Sequence, residues 1–376
     1  MNVLIVTPWY PHKENSASGI FIQDIARAVS LYATPAVVHI HSSKDAKRPI
    51  SMEEFEDKKL KVYRINIKSL PGKLHSPLYM GVLLYLLKIC REFKPDVIHS
   101  HVFTAGLFSV IAGKLTSIPV IQTEHMLFNK GNGDKKVDFI RRFIGRVVLD
   151  NTSFVTTPSN FFKRYLKSSG VHNRIKTVPN TVDTDFFRPP NSKEKKGVSS
   201  FLFAGWVDPI KGFDVLLSAI KDVSSKRDDF NLIVAGGGRF LEEYKNKSRF
   251  DGTYRFVKFL GSQKREKIPH LMQSCDFLVL PSRWEVFGMV VVEALACGKP
   301  AIVSDKGQRE IINHKTGVVV RSENVQMLSE SIEYMIENHR KFPQNYIRKH
   351  ALKYSYESVG KIFAELYREV SRSNRG

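Results

Sequence analysis

Along the chain, short runs in which apolar and β-branched residues follow one another without interruption alternate with longer stretches in which apolar residues recur every three to four positions. Val3–Thr7, Ala36–His41, Val97–Ser100, Val120–Thr123 and Phe154–Thr157 read as strands, and Ile22–Leu31, Gly106–Leu115 and Asn160–Ser168 as helices. The strand runs are too continuously apolar to face water on one side, which predicts a parallel sheet covered by helices, built from βαβ units. Near Arg188–Ser200 the pattern breaks into Pro189, Pro190, Asn191, Ser192 and the charged run Lys193-Glu194-Lys195-Lys196, a composition that packs poorly. Beyond it the strand rhythm restarts at Phe201–Ala204, Asn231–Ala235, Val257–Leu260, Phe277–Leu280, Ala301–Ser304 and Gly317–Val320. Glu357–Val370 reads as one amphipathic helix. The expectation is therefore an α/β chain with an N-terminal domain over 1–187, a second domain over 188–355, and a C-terminal helix over 356–376 that packs back on the first.

Composition fits that division, because 376 residues, 42% hydrophobic and 25% charged, exceed what one core comfortably serves. The opening apolar run is short and lacks a basic leader, so no secretory signal is expected. The most lipid-like stretch, Met80–Leu87, is cut by Lys88 and falls short of the roughly 20 residues a spanning helix needs. Cys90, Cys275 and Cys297 are odd in number, widely spaced and set among apolar neighbours, as reduced core thiols are; the expected location is the cytoplasm. Charge adds a partner: at +21 the chain should bind something anionic, whether a phosphorylated donor, a lipid headgroup or nucleic acid. Nucleic acid is the poorest fit, since no basic repeat interleaved with aromatics is present. Residues 135–149 are basic and amphipathic, which suits either a packed helix with a solvated basic edge or a surface resting on anionic lipid at the inner face of the membrane.

The segment Pro281-Ser282-Arg283-Trp284-Glu285-Val286-Phe287-Gly288, continuing into Met289–Gly298, reads as strand, loop and helix. Gly288 lets backbone approach a ligand, and amides at the start of the next helix suit phosphate or sugar oxygens. Glu285 and Glu293 bracket the feature, about 12 Å apart if both were helical, so that they can hold opposite ends of one extended ligand. The neighbours of Glu293 leave its helix almost no polar surface, and a buried carboxylate is costly unless something is bound to it. A second loop, Gly205-Trp206-Val207-Asp208-Pro209-Ile210-Lys211-Gly212, follows a strand, where open α/β sheets bind ligands. His99 and His101 point to one face by the strand period of two. Asp183-Thr184-Asp185 can be read as a metal-holding acid pair, although it belongs to a turn, and Ser159 with Asn160 reads as a helix cap.

Glu285 through Glu293 matches the E-x7-E signature of the retaining glycosyltransferases of family 4. Pro281-Ser282, the run Ala294-Leu295-Ala296-Cys297-Gly298-Lys299-Pro300 and Pro179-Asn180-Thr181-Val182-Asp183 also resemble that family, in order, over essentially the whole chain. The resemblance implies the GT-B architecture, two Rossmann-like domains facing a cleft, and transfer of a sugar from a nucleotide-sugar donor to a glycan or lipid-linked acceptor with retention of configuration. It implies neither metal nor cofactor. Catalytic roles fall on His101 and Glu285. Donor binding falls on Gly19, Lys211, Glu285, Phe287, Gly288, Met289 and Glu293, with Glu285 on sugar hydroxyls, Glu293 on the ribose and Lys211 on the diphosphate. His125 matches a second family position, to which we assign a structural hydrogen bond. Trp206 stands where many relatives carry an arginine, and Arg239 or Arg283 would have to compensate. Family association points to bacterial surface-polysaccharide or glycolipid synthesis. The alternatives are a sugar-nucleotide epimerase or phosphorylase of the same architecture, and a non-enzymatic protein of anionic membranes.

Overall fold

The computed structural model describes residues 1–69, 76–126, 135–190 and 197–373. The chain divides into two compact units, Met1–Thr181 with Tyr356–Gly376, and Val182–Ser355. The division falls after Thr181 rather than at 187, because Val182 and Phe187 sit in the core of the second unit and Arg348 there donates to the carbonyls of Thr184 and Phe187.

In the first unit the strands are β1 (Asn2–Thr7), β2 (Thr34–Ser43), β3 (Ile50–Asp57), β4 (Leu60–Lys68), β5 (Val97–His101), β6 (Val120–Thr123), β7 (Phe154–Thr157) and β8 (Ile175–Thr177). The helices are α1 (Ile20–Ser30), α2 (Ser76–Phe93), α3 (Phe103–Thr116), α4 (Lys135–Asp150), α5 (Asn160–Ser168) and the final helix α12 (Tyr356–Ser373). The sheet order is β3-β4-β2-β1-β5-β6-β7-β8. Every pairing is parallel except β3 with β4. That antiparallel hairpin departs from the all-parallel expectation. It turns at Lys58 and Lys59, both left-handed (φ 49° and 65°), the sense a two-residue hairpin turn requires. The polar edge strand β3 carries Glu53, Glu54 and Glu56, which blunt an otherwise open sheet edge. Val359, Phe363, Leu366, Tyr367 and Val370 of α12 join Ile22, Ile25 and Val29 of α1 in the core of this unit.

The second unit contains β9 (Ser199–Ala204), α6 (Phe213–Ser224), β10 (Phe230–Ala235), α7 (Leu241–Phe250), β11 (Val257–Gly261), α8 (Ile268–Ser274), β12 (Phe277–Leu280), α9 (Met289–Ala296), β13 (Ala301–Ser304), β14 (Gly317–Val320), α10 (Val325–Asn338) and α11 (Gln344–Ala351). Its sheet, β11-β10-β9-β12-β13-β14, is parallel throughout. Strand order reverses between β9 and β12 here, and between β1 and β5 in the first unit. At such switch points the loops leaving the carboxyl ends of adjacent strands diverge and open a crevice. The cysteines are free and buried. Among the described residues no helix is long and apolar enough to cross a membrane.

Candidate active site

The second switch point brings the two loops singled out in the sequence together. Gly212, at φ +68°, lies so close to Pro281 that a Cβ there would meet the Pro281 carbonyl oxygen at 2.1 Å, so a glycine at this position lets the β9 loop close on the β12 loop. Arg283 N donates to Ile210 O (2.9 Å), tying the same loops by backbone. Across this seam Lys211 Nζ donates to Glu285 Oε2 at 2.6 Å, and Ser282 Oγ donates to the same oxygen at 3.4 Å. The two charged side chains retain only 22% and 14% of their exposure. Desolvation offsets most of the attraction in such a pair, which makes it a poor device for stability. It sets two opposite charges side by side at the switch point, an arrangement that could meet a ligand carrying both an anion and hydroxyls.

Glu285 is not helical, because α9 begins only at Met289; the acids stand on a loop and on a helix. Glu293 is mostly buried, as its apolar helix predicts, and its carboxylate lies 3.8 Å from Arg265 Nη1. The Arg265 guanidinium packs over the rings of Phe186 and Phe187 at 5.8 and 5.5 Å. Sequence reasoning missed Arg265, which sits in an unremarkable basic stretch. Phe287 turns its ring into the core, edge-on to Tyr354 at 5.7 Å, and thus offers a ligand only backbone. The Met289 amide is occupied by the Phe287 carbonyl (3.0 Å). Of the two arginines that could compensate for Trp206, Arg283 serves the scaffold: it makes a two-pronged pair with Asp214 (2.7 Å each), donates to the Pro209 carbonyl and reaches Glu323 at 2.9 Å. These acids hold its guanidinium above its usual pKa. Arg239 is exposed and stacks on Phe240 at 4.6 Å; Trp206 is exposed on the β9 loop, whose Val207 N donates to Gly237 O at 2.8 Å and so ties it to the loop that carries Arg239. Asp183 accepts from the amides of Asp185 (3.2 Å) and Phe186 (3.0 Å), so the Asp183-Thr184-Asp185 run is a side-chain-capped turn.

In the first unit Gly19 is the residue that caps the N-terminus of α1, at φ +62°, where a Cβ would meet Trp9 O at 2.3 Å; its backbone requires glycine before any ligand is considered. His99 and His101 do share a face, with ring centroids 4.3 Å apart. His99 is a satisfied core residue, bonded to Tyr367 Oη (2.7 Å) and Thr123 Oγ1 (2.6 Å). His101 is fully buried; its Nδ1 meets His125 Nε2 at 3.0 Å, and its Nε2 has no partner among the described residues. His125 is the member of the pair with residual exposure. Burial drives all three imidazoles toward neutrality, with His99 and His125 at about 3 and His101 well below its usual value.

A third residue, which the sequence did not single out, organises this corner. Glu124 is completely buried; its oxygens accept from the amides of Phe103 (2.8 Å), His125 (3.0 Å) and Met126 (3.0 Å). Burial outweighs those bonds and pushes its carboxyl up to about 7. Between His101 and Phe103, Val102 adopts φ 66°, ψ 131°, a strained conformation for a β-branched residue. The Glu124–Phe103 bond and a bond from Val102 N to Thr123 O (3.0 Å) hold that turn. On the outside of this unit, α4 exposes Val137, Phe139, Ile140, Phe143 and Val147, Phe139 to 70%, with Arg142 and Arg146 also exposed. The neighbouring α3 presents Leu107, Ile111 and Leu115, and α2, against α3, presents Tyr79, Met80 and Leu84.

Two α/β units, their sheets parallel but for the β3–β4 pair and each with a switch point lined by polar side chains, have the fold of the GT-B class of glycosyltransferases. Solved structures of that class share the fold. Sucrose-phosphate synthase from Thermosynechococcus elongatus superimposes with a TM-score of 0.79 at 17% identity over 99% of each chain. Anabaena HepE in complex with UDP and glucose gives 0.76 at 19% over 98% of this chain and all of that one. Residues 38–186 match the family model described as Glycosyltransferase Family 4, and residues 183–353 the one described as Glycosyl transferases group 1. The chain belongs to the family 4 glycosyltransferases and uses a nucleotide-sugar donor. An uncharacterized glycosyltransferase of Methanocaldococcus jannaschii is 29% identical over 73% of this chain and 76% of its own length. The D-inositol 3-phosphate glycosyltransferase of Corynebacterium jeikeium is 25% identical over 76% and 75%.

Proposed function

We propose that the protein moves a sugar from a nucleoside diphosphate to an acceptor hydroxyl with retention of anomeric configuration, with the donor held in the second unit. The observation that carries this reading is the Lys211–Glu285 pair at the β9–β12 switch point. A sugar nucleotide supplies what each partner of the pair would give up: its diphosphate takes Lys211 and its sugar hydroxyls take Glu285. Glu293, reached from α9, receives the ribose, and Arg239 adds positive charge at the diphosphate in place of the arginine that Trp206 replaces. Anabaena HepE, which shares the fold, is solved in complex with UDP and glucose, and this supports a nucleotide-sugar ligand.

In the reaction the bond from the anomeric carbon to the diphosphate oxygen breaks with its electron pair leaving on the diphosphate. The acceptor oxygen bonds to the same face of that carbon, and its proton passes to the leaving phosphate. Lys211 stabilises the charge that develops there. The role expected of His101 is exercised through His125, since His101 is sealed from solvent and only its partner retains exposure; the clamped Val102 turn fixes the pair. NMR of the product formed from an α-configured donor tests the reading: an α-linked product supports retention, while a β-linked one removes it. A free epimerised sugar, or sugar phosphate formed from phosphate, would instead identify an epimerase or a phosphorylase.

A second reading concerns location. The exposed apolar faces of α2, α3 and α4, with Arg142 and Arg146 alongside, together with the net charge of +21, favour attachment of the first unit to an anionic membrane, where a lipid-linked acceptor would be met in bacterial polysaccharide or glycolipid synthesis. The inner, cytoplasmic face is the surface this reading selects.

A further inference from the structure

Sugar transfer assigns no part to a cluster at the carboxyl end of β2. His12 and Glu14 stand in the loop that follows β1, in a four-residue turn closed by reciprocal backbone bonds, His12 N to Asn15 O (3.3 Å) and Asn15 N to His12 O (3.1 Å). His41 projects from β2 toward them, its ring centroid 4.5 Å from that of His12. A ring nitrogen of His12, one of His41 and a carboxylate oxygen of Glu14 all lie within 4.8 Å of one another. His12 Nδ1 is shut off from solvent and has no hydrogen-bond partner among the described residues.

The surroundings leave these three side chains to each other. His39, two positions earlier on the same face of β2, is already used: its Nδ1 accepts from Arg64 Nε at 3.2 Å, and its ring lies 5.2 Å from that of His41. Arg64, the cation nearest His39, is turned to the Pro11 carbonyl (3.2 Å) and to Glu53 (3.3 Å), whose carboxylate offsets its charge.

We propose that His12, Glu14 and His41 bind Zn²⁺. Two imidazoles and a carboxylate form a donor set suited to zinc, whereas calcium and magnesium call for oxygen donors throughout. Tetrahedral zinc with bonds of about 2.0–2.1 Å places its donors roughly 3.4 Å apart. From 4.8 Å, side-chain rotation covers the difference, and Glu14 is exposed enough to make it. The fourth position is left to water. Two ligands come from the loop and one from the sheet, so the ion staples the loop after β1 to β2. That loop ends at Gly19, whose left-handed backbone starts α1; zinc therefore stiffens the segment that leads into α1.

Calorimetric titration of the full, chelator-stripped chain with ZnCl₂ tests the proposal, with Co²⁺ in parallel so that ligand-field absorption reports the coordination geometry. The expected result is one saturable site per chain, an intense tetrahedral Co²⁺ spectrum, and slower amide hydrogen exchange in residues 8–19 when zinc is present. His12→Ala and His41→Ala should each weaken zinc by at least about tenfold, the scale at which even outer-shell changes act. Lys13→Ala, in the same turn but outside the donor set, should leave affinity unchanged, and circular dichroism establishes that each variant is folded. Absence of saturable binding up to about 100 μM zinc, a Kd weaker than roughly −5.5 kcal/mol of binding energy, overturns the proposal. So does a site whose affinity survives both histidine substitutions.

Discussion

The Lys211–Glu285 pair makes an unusual demand: removing the acid should help one ligand while harming the reaction. In the free protein Lys211 Nζ is held at 2.6 Å by Glu285, and a nucleoside diphosphate must take the ammonium away from that carboxylate. A hydrogen bond between charged groups is worth about 1.5–3 kcal/mol net. With the side chains 22% and 14% exposed, solvent screening discounts it to about 1–2 kcal/mol. Glu285→Gln keeps the shape, removes the charge and frees Lys211, so nucleoside diphosphate should bind tighter by roughly five- to thirtyfold. Turnover should fall at the same time, because the contact to the donor sugar is lost where it matters most, as the anomeric carbon reacts. Lys211→Met should weaken the diphosphate by about ten- to a hundredfold. In the double variant the gain from Glu285→Gln should vanish, since no lysine remains to be released. Calorimetry of the four proteins with UDP, GDP and ADP, beside initial rates with the intact donor, supplies every term. If Glu285→Gln weakened the diphosphate as strongly as Lys211→Met, the pair would not be competing with the ligand and the role given to the glutamate would be wrong.

Glu293→Ala should weaken free nucleotide and nucleotide-sugar alike, on the order of ten- to a hundredfold by titration; equal binding by the variant would return Glu293 to a structural partner of Arg265. The chain should sediment with anionic vesicles at low salt and less at high salt, and Phe139→Ser with Phe143→Ser should reduce that association; equal binding to neutral vesicles would reject the charge-assisted surface. Acid should destabilise the first unit through its neutral histidines. His99 and His125 have folded values of about 3 against an ordinary 6.5, so their contribution is present above pH 6.5 and is lost as pH falls toward 3. Glu124, raised to about 7, works the other way between pH 4.5 and 7, one group against the histidines. Urea unfolding at pH 7.5 and 5.5 should show a loss at the lower pH that His99→Phe reduces, and a pH-independent midpoint would contradict the burial argument.

The parts of this molecule that periodicity could reveal are those whose burial is uniform along an element. β1, β12 and β13 are apolar runs in the sequence, and β6 and β7 open on apolar pairs, because both faces of their sheets are covered. The β3–β4 hairpin has no such signature: ISMEEFED is polar because it lies at an edge, and its turn is made by two lysines where asparagine and glycine would have announced it. Within the site, the spacing of Glu285 and Glu293 was legible because both lie on one strand-loop-helix unit. The contact of Glu285 with Lys211 was not, since it joins loops that only the β9–β12 adjacency brings together. Arg265 escaped notice for the same reason. Glu124 escaped for a different one: a carboxylate at a strand end looks solvated until α3 is known to begin on top of it.

Both units concentrate their costly features at the same topological position, and the cost argues for use. At the carboxyl ends of β5 and β6, beside the β1–β5 switch point, stand a β-branched residue at positive φ, a fully buried carboxyl raised to about 7, and a buried imidazole nitrogen with no partner among the described residues. Each is worth on the order of 1–3 kcal/mol against folding. At the β9–β12 switch point a partly desolvated ion pair does little for stability. A few residues back along the same strands, the chain solves its packing with Val3, Leu4, Ile5 and Val6, or Phe277, Leu278 and Val279, at no such cost. The folding problem at these positions therefore has a cheaper answer that the chain uses nearby. What distinguishes the expensive positions is that they lie where an open α/β sheet presents side chains to a ligand, which is the use the proposed transfer site would make of them.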